Sequence, residues 1–271
     1  MSIHPTAIVE SGAEIDPSAE IGPYCVIGPK VKIGPDTRLL SHVVLVNDTV
    51  IGARNIIHPF AALGGPPQDL KFKGEPSRLI VGDDNVIRES ATLNIGTAGG
   101  HMETRVGNNC LLMAYSHTAH DCILGDNVIL SNSVSLAGHV TVGDRVIMSG
   151  MAGVHQFCRI GRNAFVAGGA MVAQDVPPFC IAQGDRAQLV HINIVGLKRA
   201  GWSREDLLAV RTAFKMLFGG HRARLVSLEK VEAEMSHCPP VAEMCEFIRA
   251  SDRGVCPPRL VQPVTDNNNI D

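Results

Sequence analysis

The chain has 271 residues, of which 45% are hydrophobic, and it carries a formal net charge of −3. It can therefore bury a sizeable core, and its charge balance does not favour binding to nucleic acid. Its start lacks the basic residues and apolar run of a signal peptide, and no later stretch approaches the roughly 18 apolar residues of a membrane span. We therefore expect a cytoplasmic protein with no stable membrane insertion.

A six-residue repeat begins at the start of the chain. Ile, Val or Leu occupies every sixth position from residue 3 to residue 63. Every proline in this stretch lies two residues after such a position, and glycine often lies between them. Because proline cannot donate to a sheet ladder and glycine relaxes the backbone, this phase predicts a corner between short strands. Three short strands per coil of about 18 residues, stacked in parallel, account for the period.

The repeat continues after residue 63 with two interruptions. It resurfaces between Val81 and Leu93, and a phase shifted by one residue runs from Val106 to Val172. The segments near 66–79 and 97–105 leave the pattern. Such excursions from a rigid coil are typical of functional loops, although a tolerated insertion gives the same pattern.

Helical patterns replace the hexads from about residue 191. Residues 203–206 form a capping box ahead of a helix that Gly219 and Gly220 end, and residues 227–235 and 241–249 predict two more helices. The last residues, 265–271, are expected to be disordered.

The predicted fold is an all-β parallel β-helix of hexapeptide repeats with a C-terminal α-helical domain. We place the β-helix at 1–190 and the helical domain, with its disordered tail, at 191–271. The period does not decide handedness: general crossover chirality favours a right-handed coil, whereas the hexapeptide pattern resembles the left-handed β-helix family. The eight cysteines include no Cys-x-x-Cys pair and lie in apolar contexts, which is typical of reduced, packed thiols. We expect no disulfides and no structural zinc.

Four histidines are expected near one edge of the coil, because their spacing is close to one coil or less: His117, His120, His139 and His155. A neutral imidazole can remove a proton from an attacking hydroxyl near neutral pH, and Asp121 could help set the tautomer of its neighbour. Backbone amides beside Gly138 are candidate donors to an oxyanion.

Other interpretations of these histidines stay open. Each could be a solvated or hydrogen-bonded corner residue. Three on neighbouring coils could ligate zinc, as in the zinc-dependent β-helical carbonic anhydrases. A non-catalytic β-helix scaffold would need neither the aligned histidines nor the Gln-Asp-Leu-Lys loop at 68–71.

From Ile3 to about residue 250, the sequence closely resembles the acyl-[acyl-carrier-protein]:UDP-N-acetylglucosamine O-acyltransferase family, hexapeptide-repeat enzymes of lipid A biosynthesis. The segments that carry the resemblance are 67–72, 74–79, 117–122, 136–140, 155–158, 172–178 and 196–199. It implies a left-handed β-helix that transfers a β-hydroxyacyl chain from acyl carrier protein to the 3-position of UDP-N-acetylglucosamine. The acyl donor is then bound to phosphopantetheine, and no further cofactor and no metal is implied.

The resemblance also implies roles for individual residues. His120 would be the general base, and the Gly138 amide the oxyanion donor. Substrate contacts would come from Gln68, Asp69, Lys71, His117, His139, His155 and Gln156, with Asn193 and Arg199 at the uridine diphosphate. Gly168 matches the acyl-chain ruler, where glycine leaves the pocket open for a longer chain. Alternatively, Gly168 and Gly169 could form a corner that requires positive φ.

Two departures from the family pattern touch substrate regions. Asn94 and Ile95 stand where members commonly carry His-Arg, which leaves open a 3-amino UDP-sugar acceptor and an amide product. Ala200 replaces a second basic residue, which slightly weakens the diphosphate argument. The sister N-acyltransferase of the pathway carries an N-terminal uridine-binding domain, for which hexads that begin at residue 3 leave no room.

The resemblance implies a homotrimer with active sites in grooves between neighbouring coils. Because acyl carrier protein is acidic, basic residues of the helical domain are expected to form its landing surface: Lys198, Arg199, Arg204, Arg211, Lys215, Arg222 and Arg224. The same residues could be ordinary solvent-facing charges.

Overall fold

A computed structural model describes residues 2–219 and 224–259. Within these residues, short strands form three sheets. The first sheet contains β1 (Ser2–Ile3), β4 (Glu20–Ile21), β7 (Arg38–Leu39), β10 (Ile56–Ile57), β13 (Val86–Ile87), β16 (Leu111–Leu112), β19 (Ile129–Leu130), β22 (Ile147–Met148), β25 (Phe165–Val166), β27 (Cys180–Gln183) and β28 (Gln188–Ile192). The second contains β2 (Ile8–Val9), β5 (Val26–Ile27), β8 (Val44–Leu45), β11 (Ala62–Gly65), β14 (Thr92–Asn94), β17 (His117–Thr118), β20 (Ser135–Leu136), β23 (Gly153–Val154) and β26 (Met171–Val172). The third contains β3 (Glu14–Ile15), β6 (Lys32–Ile33), β9 (Asp48–Ile51), β12 (Arg78–Val81), β15 (Glu103–Val106), β18 (Ile123–Leu124), β21 (Thr141–Val142) and β24 (Arg159–Ile160).

Each coil contributes one strand to each sheet, and the strands pair in parallel with those of the next coil. In the second sheet His117 pairs with Ser135, Ser135 with Gly153 and Gly153 with Met171. Only β27 and β28 pair antiparallel among the described strands. The second residue of a typical strand is buried and the first faces outward, so the hexad positions form one continuous core. The chain therefore has the predicted all-β left-handed parallel β-helix fold.

The corners follow the predicted phase. Along the coil, the residue immediately after the proline position repeatedly adopts positive φ although it is not glycine, as in Asp36 (φ 56), Asp121 (φ 59) and His139 (φ 62). This left-handed conformation is uncommon for residues with a side chain, and here it recurs at a fixed place in the hexad. The side chain at each such corner consequently projects from an edge of the coil.

Two connections leave the coil. Residues 66–77 link β11 to β12, and residues 95–102 link β14 to β15. They contact each other, because the backbone N–H of Ala98 donates to Glu75 and the hydroxyl of Ser77 donates to the carbonyl of Gly96. Both loops therefore lie side by side on the edge between the second and third sheets, which is also the edge where β17 ends.

Four helices follow the coil within the described residues: α1 (Ile194–Arg199), α2 (Arg204–Phe218), α3 (Arg224–Met235) and α4 (Pro239–Arg249). Ser203 caps α2, as the capping box predicts, and its hydroxyl accepts from the N–H of Asp206. The predicted disordered tail, Gly220 and Arg222 lie outside the described residues. No described helix has the length and apolar character needed to cross a membrane.

After α4 the chain returns to the coil. Val255 pairs with Asp175 and Pro258 pairs with Leu189 through single bridges. Residues 250–259, the return segment, therefore lie against the last coils and contribute to the surface next to β26.

Candidate active site

A groove of about 990 Å³ runs along the outer face of the second sheet. Its wall includes His117, Ser135, Gly153 and Met171, which are the outward-facing first residues of β17, β20, β23 and β26. Parallel pairing places these residues in one row. Cys256 and Pro257 of the return segment line the same groove.

His120 and Asp121 form a hydrogen-bonded pair at the corner beside this groove. His120 Nδ1 lies 2.8 Å from Asp121 Oδ2, and the His120 side chain is 14% exposed whereas that of Asp121 is fully buried. A carboxylate can only accept, so we assign the proton of the neutral ring to Nδ1. The other nitrogen, Nε2, is then an acceptor.

The carboxylate of Asp121 is held by the second loop. It accepts hydrogen bonds from the backbone N–H and the hydroxyl of Thr97 and from the N–H of His101. Burial alone would raise the pKa of Asp121, but the hydrogen bonds from Thr97, His120 and His101 outweigh it and hold the pKa below its usual value. Asp121 is thus an ionised, buried partner for His120.

Gly138 lies directly against the imidazole of His120. A Cβ atom at Gly138 would lie 2.5 Å from Cε1 and 2.6 Å from Nε2 of His120. Gly138 also occupies the hexad position that holds proline elsewhere, as at Pro23 and Pro59. Proline has no N–H, so the coil offers no acceptor at this position. The N–H of Gly138 accordingly donates no hydrogen bond within the described residues. An unpaired N–H donor therefore lies next to the imidazole of His120.

His139 occupies the corner above Asp121 but faces a different cleft. Its ring stacks on Phe157 at 4.4 Å and meets the ring of His120 edge-on at 5.0 Å. It lines a second cleft of about 480 Å³ together with His101. Burial lowers the pKa of His139, so the ring is mainly neutral near neutral pH. In the single chain, His139 touches His120 without lining the groove.

His117 and His155 do line the groove. His117 Nδ1 lies 2.7 Å from the hydroxyl of Thr92, and burial lowers the pKa of His117, with a further contribution from nearby His120. His155 Nδ1 lies 3.1 Å from the carbonyl of Gln156, which also lines the groove.

The first loop brings one predicted contact to the groove wall, Gln68. Asp69 accepts from the N–H of Lys71, and neither residue lines the groove of the single chain. Asn94 holds the start of this loop, since its amide nitrogen donates to the carbonyls of Gly65 and Pro66.

Three further predicted residues lie away from the groove. Asn193 caps α1: its side chain accepts from the N–H of Gly196 and donates to the carbonyl of Asn163. Arg199 is exposed at the end of α1. Gly168 is exposed, and the positive φ of this corner belongs to Gly169 (φ 66) instead.

His120, Asp121 and His139 are close enough to hold a metal, with ligand atoms within 4.8 Å of one another. However, Asp121 Oδ2 is already a hydrogen-bond acceptor for Thr97 and His120. A metal on that oxygen would displace the bond that orients His120. This cluster in the described residues also contains two histidines, whereas a carbonic anhydrase-type zinc site requires three.

Several residues around the site were not singled out from the sequence. Thr97 and His101 surround Asp121, and Met171, Cys256 and Pro257 extend the groove. Loop residues follow no hexad, and the return segment meets β26 only through the tertiary fold. The sequence carries no local signal for either contact.

Comparison with known proteins shows which family the chain resembles in sequence and fold. Residues 175–256 match the family model described as UDP N-acetylglucosamine O-acyltransferase, domain 2, and residues 103–138 match the bacterial transferase hexapeptide model. The acyl-[acyl-carrier-protein]–UDP-N-acetylglucosamine O-acyltransferase of Anaeromyxobacter sp. (strain Fw109-5) is 49% identical, over 94% of this chain and 99% of the relative. The solved UDP-N-acetylglucosamine O-acyltransferase of Moraxella catarrhalis RH4 is 41% identical with a TM-score of 0.91, covering 94% of this chain and 99% of that one. The UDP-N-acetylglucosamine acyltransferase from Campylobacter jejuni is 36% identical with a TM-score of 0.90, covering 95% and 100%.

The coil and its matched hexapeptide repeats thus place the chain in the class of hexapeptide-repeat transferases. The chain belongs to the acyl-[acyl-carrier-protein]–UDP-N-acetylglucosamine O-acyltransferase family and is an acyltransferase. The family resemblance inferred from sequence is confirmed.

Proposed function

We propose that the protein transfers a β-hydroxyacyl chain from acyl carrier protein to the 3-hydroxyl of UDP-N-acetylglucosamine, the first step of lipid A synthesis, with His120 as general base. The observation that carries this assignment is the 2.8 Å bond between His120 Nδ1 and the buried Asp121 carboxylate. It leaves Nε2 as the acceptor beside the groove, where a neutral imidazole can take a proton near neutral pH.

The proposed reaction is a single acyl transfer. Nε2 of His120 removes the proton of the 3-hydroxyl while that oxygen attacks the thioester carbonyl. The tetrahedral intermediate collapses, the carbon–sulfur bond breaks, and the phosphopantetheine sulfur leaves with the proton from His120. The ester product and the free carrier thiol account for every atom, and Asp121 stabilises the transient imidazolium.

The Gly138 amide is the proposed donor to the oxyanion of that intermediate. Its N–H lacks a partner within the described residues and lies beside the ring of His120. A preorganised backbone donor of this kind stabilises the charge that develops on the thioester oxygen. The position of this N–H beside His120 and its lack of a partner both support the assignment.

The remaining contacts are proposed on the family resemblance. Gln68, His117, His155 and Gln156 line the groove and can meet the sugar directly. We propose that Asp69, Lys71, His139, Asn193 and Arg199 complete the site in a homotrimer, because they lie outside the groove of one chain. The Asn193 side chain already serves as a helix cap, so Arg199 is the stronger candidate for the diphosphate.

Gly168 is proposed as the position that sets acyl-chain length. It is exposed, and a Cβ atom there would approach only the Gly150 carbonyl at 3.4 Å and Ser149 at 3.8 Å. A side chain would therefore fit and project outward from the coil, shortening the space for an acyl chain packed against it. Glycine supports a longer β-hydroxyacyl donor.

The deciding experiment compares wild type with His120→Ala. The purified protein is incubated with β-hydroxyacyl carrier proteins of several lengths and either UDP-N-acetylglucosamine or its 3-amino analogue, and products are identified by mass. We expect an ester with the hydroxyl sugar and a rate loss of about 10²–10⁴-fold in His120→Ala. His4→Ala, at an exposed histidine on the first coil, serves as the control and should match wild type. Full activity in His120→Ala would refute the general-base role, and transfer only to the amino sugar would reassign the acceptor.

A further inference from the structure

We propose that Thr97 is a positioning residue for acyl transfer, whose hydroxyl holds the Asp121 carboxylate in the orientation that His120 needs. This inference rests on the proposed role of His120. Thr97 lies in the second loop and would not touch substrate.

The geometry links the three side chains through one oxygen atom. The hydroxyl of Thr97 donates to Asp121 Oδ2 at 2.6 Å, and the same oxygen lies 2.8 Å from His120 Nδ1. The N–H of His101 binds the other oxygen, Oδ1, at 2.8 Å. Thr97 is 4% exposed, so water does not readily replace its hydroxyl. The loop therefore fixes which oxygen faces His120.

Aspartates at the same hexad position on another edge of the coil lack this loop. Asp36 and Asp84 follow strands of the third sheet, also with positive φ, and both are exposed. Asp121 is 1% exposed because the second loop closes over it. Gly100 makes this approach possible, since a Cβ atom there would lie 2.3 Å from Asp121 Cγ. The loop turns an ordinary coil corner into an enclosed carboxylate.

Loss of the hydroxyl would loosen the orientation of His120. The terminal torsion of an aspartate is soft, so Oδ2 would be less firmly directed at Nδ1. The backbone N–H groups of Thr97 and His101 would still bind the carboxylate, so the loop itself should stay in place.

The test compares Thr97→Val, Thr97→Ser and Thr37→Val in the full-length protein. Thr37 is a fully buried threonine whose hydroxyl donates to the Gly52 carbonyl, far from the groove, so its substitution is matched in kind. For Thr97→Val we expect kcat to fall about 10–100-fold with KM for the sugar nearly unchanged. Thr97→Ser should restore kcat, and Thr37→Val should match wild type.

Two results would overturn the inference. One is wild-type kcat in Thr97→Val. The other is an equal loss of kcat in Thr97→Val and Thr97→Ser, which would indicate a purely structural role. His120→Ala, assayed in parallel, keeps the two proposals apart, because an active His120→Ala would refute the general base whatever Thr97 does.

Discussion

The ring of His120 rests on the backbone of Gly138, where a Cβ atom would come within 2.5 Å of Cε1. A methyl group in Gly138→Ala must therefore push the ring aside, since the backbone is held by the coil. We expect kcat/KM to fall about 100-fold, because a displacement of about 1 Å at a catalytic group has that effect. Thermal unfolding should change little, since the ring can rotate away.

Gly150→Ala is the matched control for this substitution. Gly150 occupies the same hexad position on another edge, and a Cβ atom there would approach the Asn132 carbonyl at only 3.4 Å. We expect near wild-type activity. Undiminished activity in Gly138→Ala would mean that the ring need not occupy its observed place during catalysis.

The sequence predicted the coil well because each hexad needs its own buried apolar residue and its own corner residues. The proline phase anticipated the corners, and the positive φ residues follow it by one position, as at His139. The pairing of His120 with Asp121 was also accessible, since the two are neighbours in the chain. Local pattern and local chemistry were sufficient for these features.

The rest of the candidate site depends on contacts between distant segments. Thr97 reaches Asp121 from 24 residues away, through a loop that has no repeat. Asn193 stays a predicted contact of the diphosphate, and the structure adds that its side chain caps α1 and donates to the carbonyl of Asn163. Which side chain satisfies the backbone of another element cannot be derived from spacing alone.

Asp175 joins the coil to the return segment, and its loss should destabilise that junction. Its buried carboxylate accepts from the N–H and Nε of Arg159 and from the hydroxyl of Ser251. Asp175→Asn should lower the free energy of unfolding by roughly 2–3 kcal/mol, because charged hydrogen bonds are lost. Urea unfolding measures this, with exposed Asp36→Asn as the control. Equal stability of the two variants would mean that the hydrogen bonds of Asp175 do not stabilise the fold.

The lowered pKa of His117 predicts a stability that depends on pH. Burial holds the folded-state pKa below the ordinary value of 6.5, so the unfolded chain binds the proton first as pH falls. The stability that neutral His117 contributes is fully present above pH 6.5 and is lost as pH falls through the folded-state pKa. The difference in unfolding free energy between wild type and His117→Asn should therefore shift against wild type below pH 6.5. A pH-independent difference between pH 7.5 and 5 would contradict the assignment.

Native-state thiol labelling should modify Cys238 first. All eight cysteines lie within the described residues, and seven are buried whereas Cys238 is partly exposed. Burial raises the pKa of these seven thiols, to about 12 at Cys122 and Cys256, which suppresses the reactive thiolate. We expect one fast thiol per native chain, lost in Cys238→Ser, and all eight to react in denaturant. A second fast thiol at Cys256 would instead indicate that the return segment opens and that the groove wall it forms is mobile.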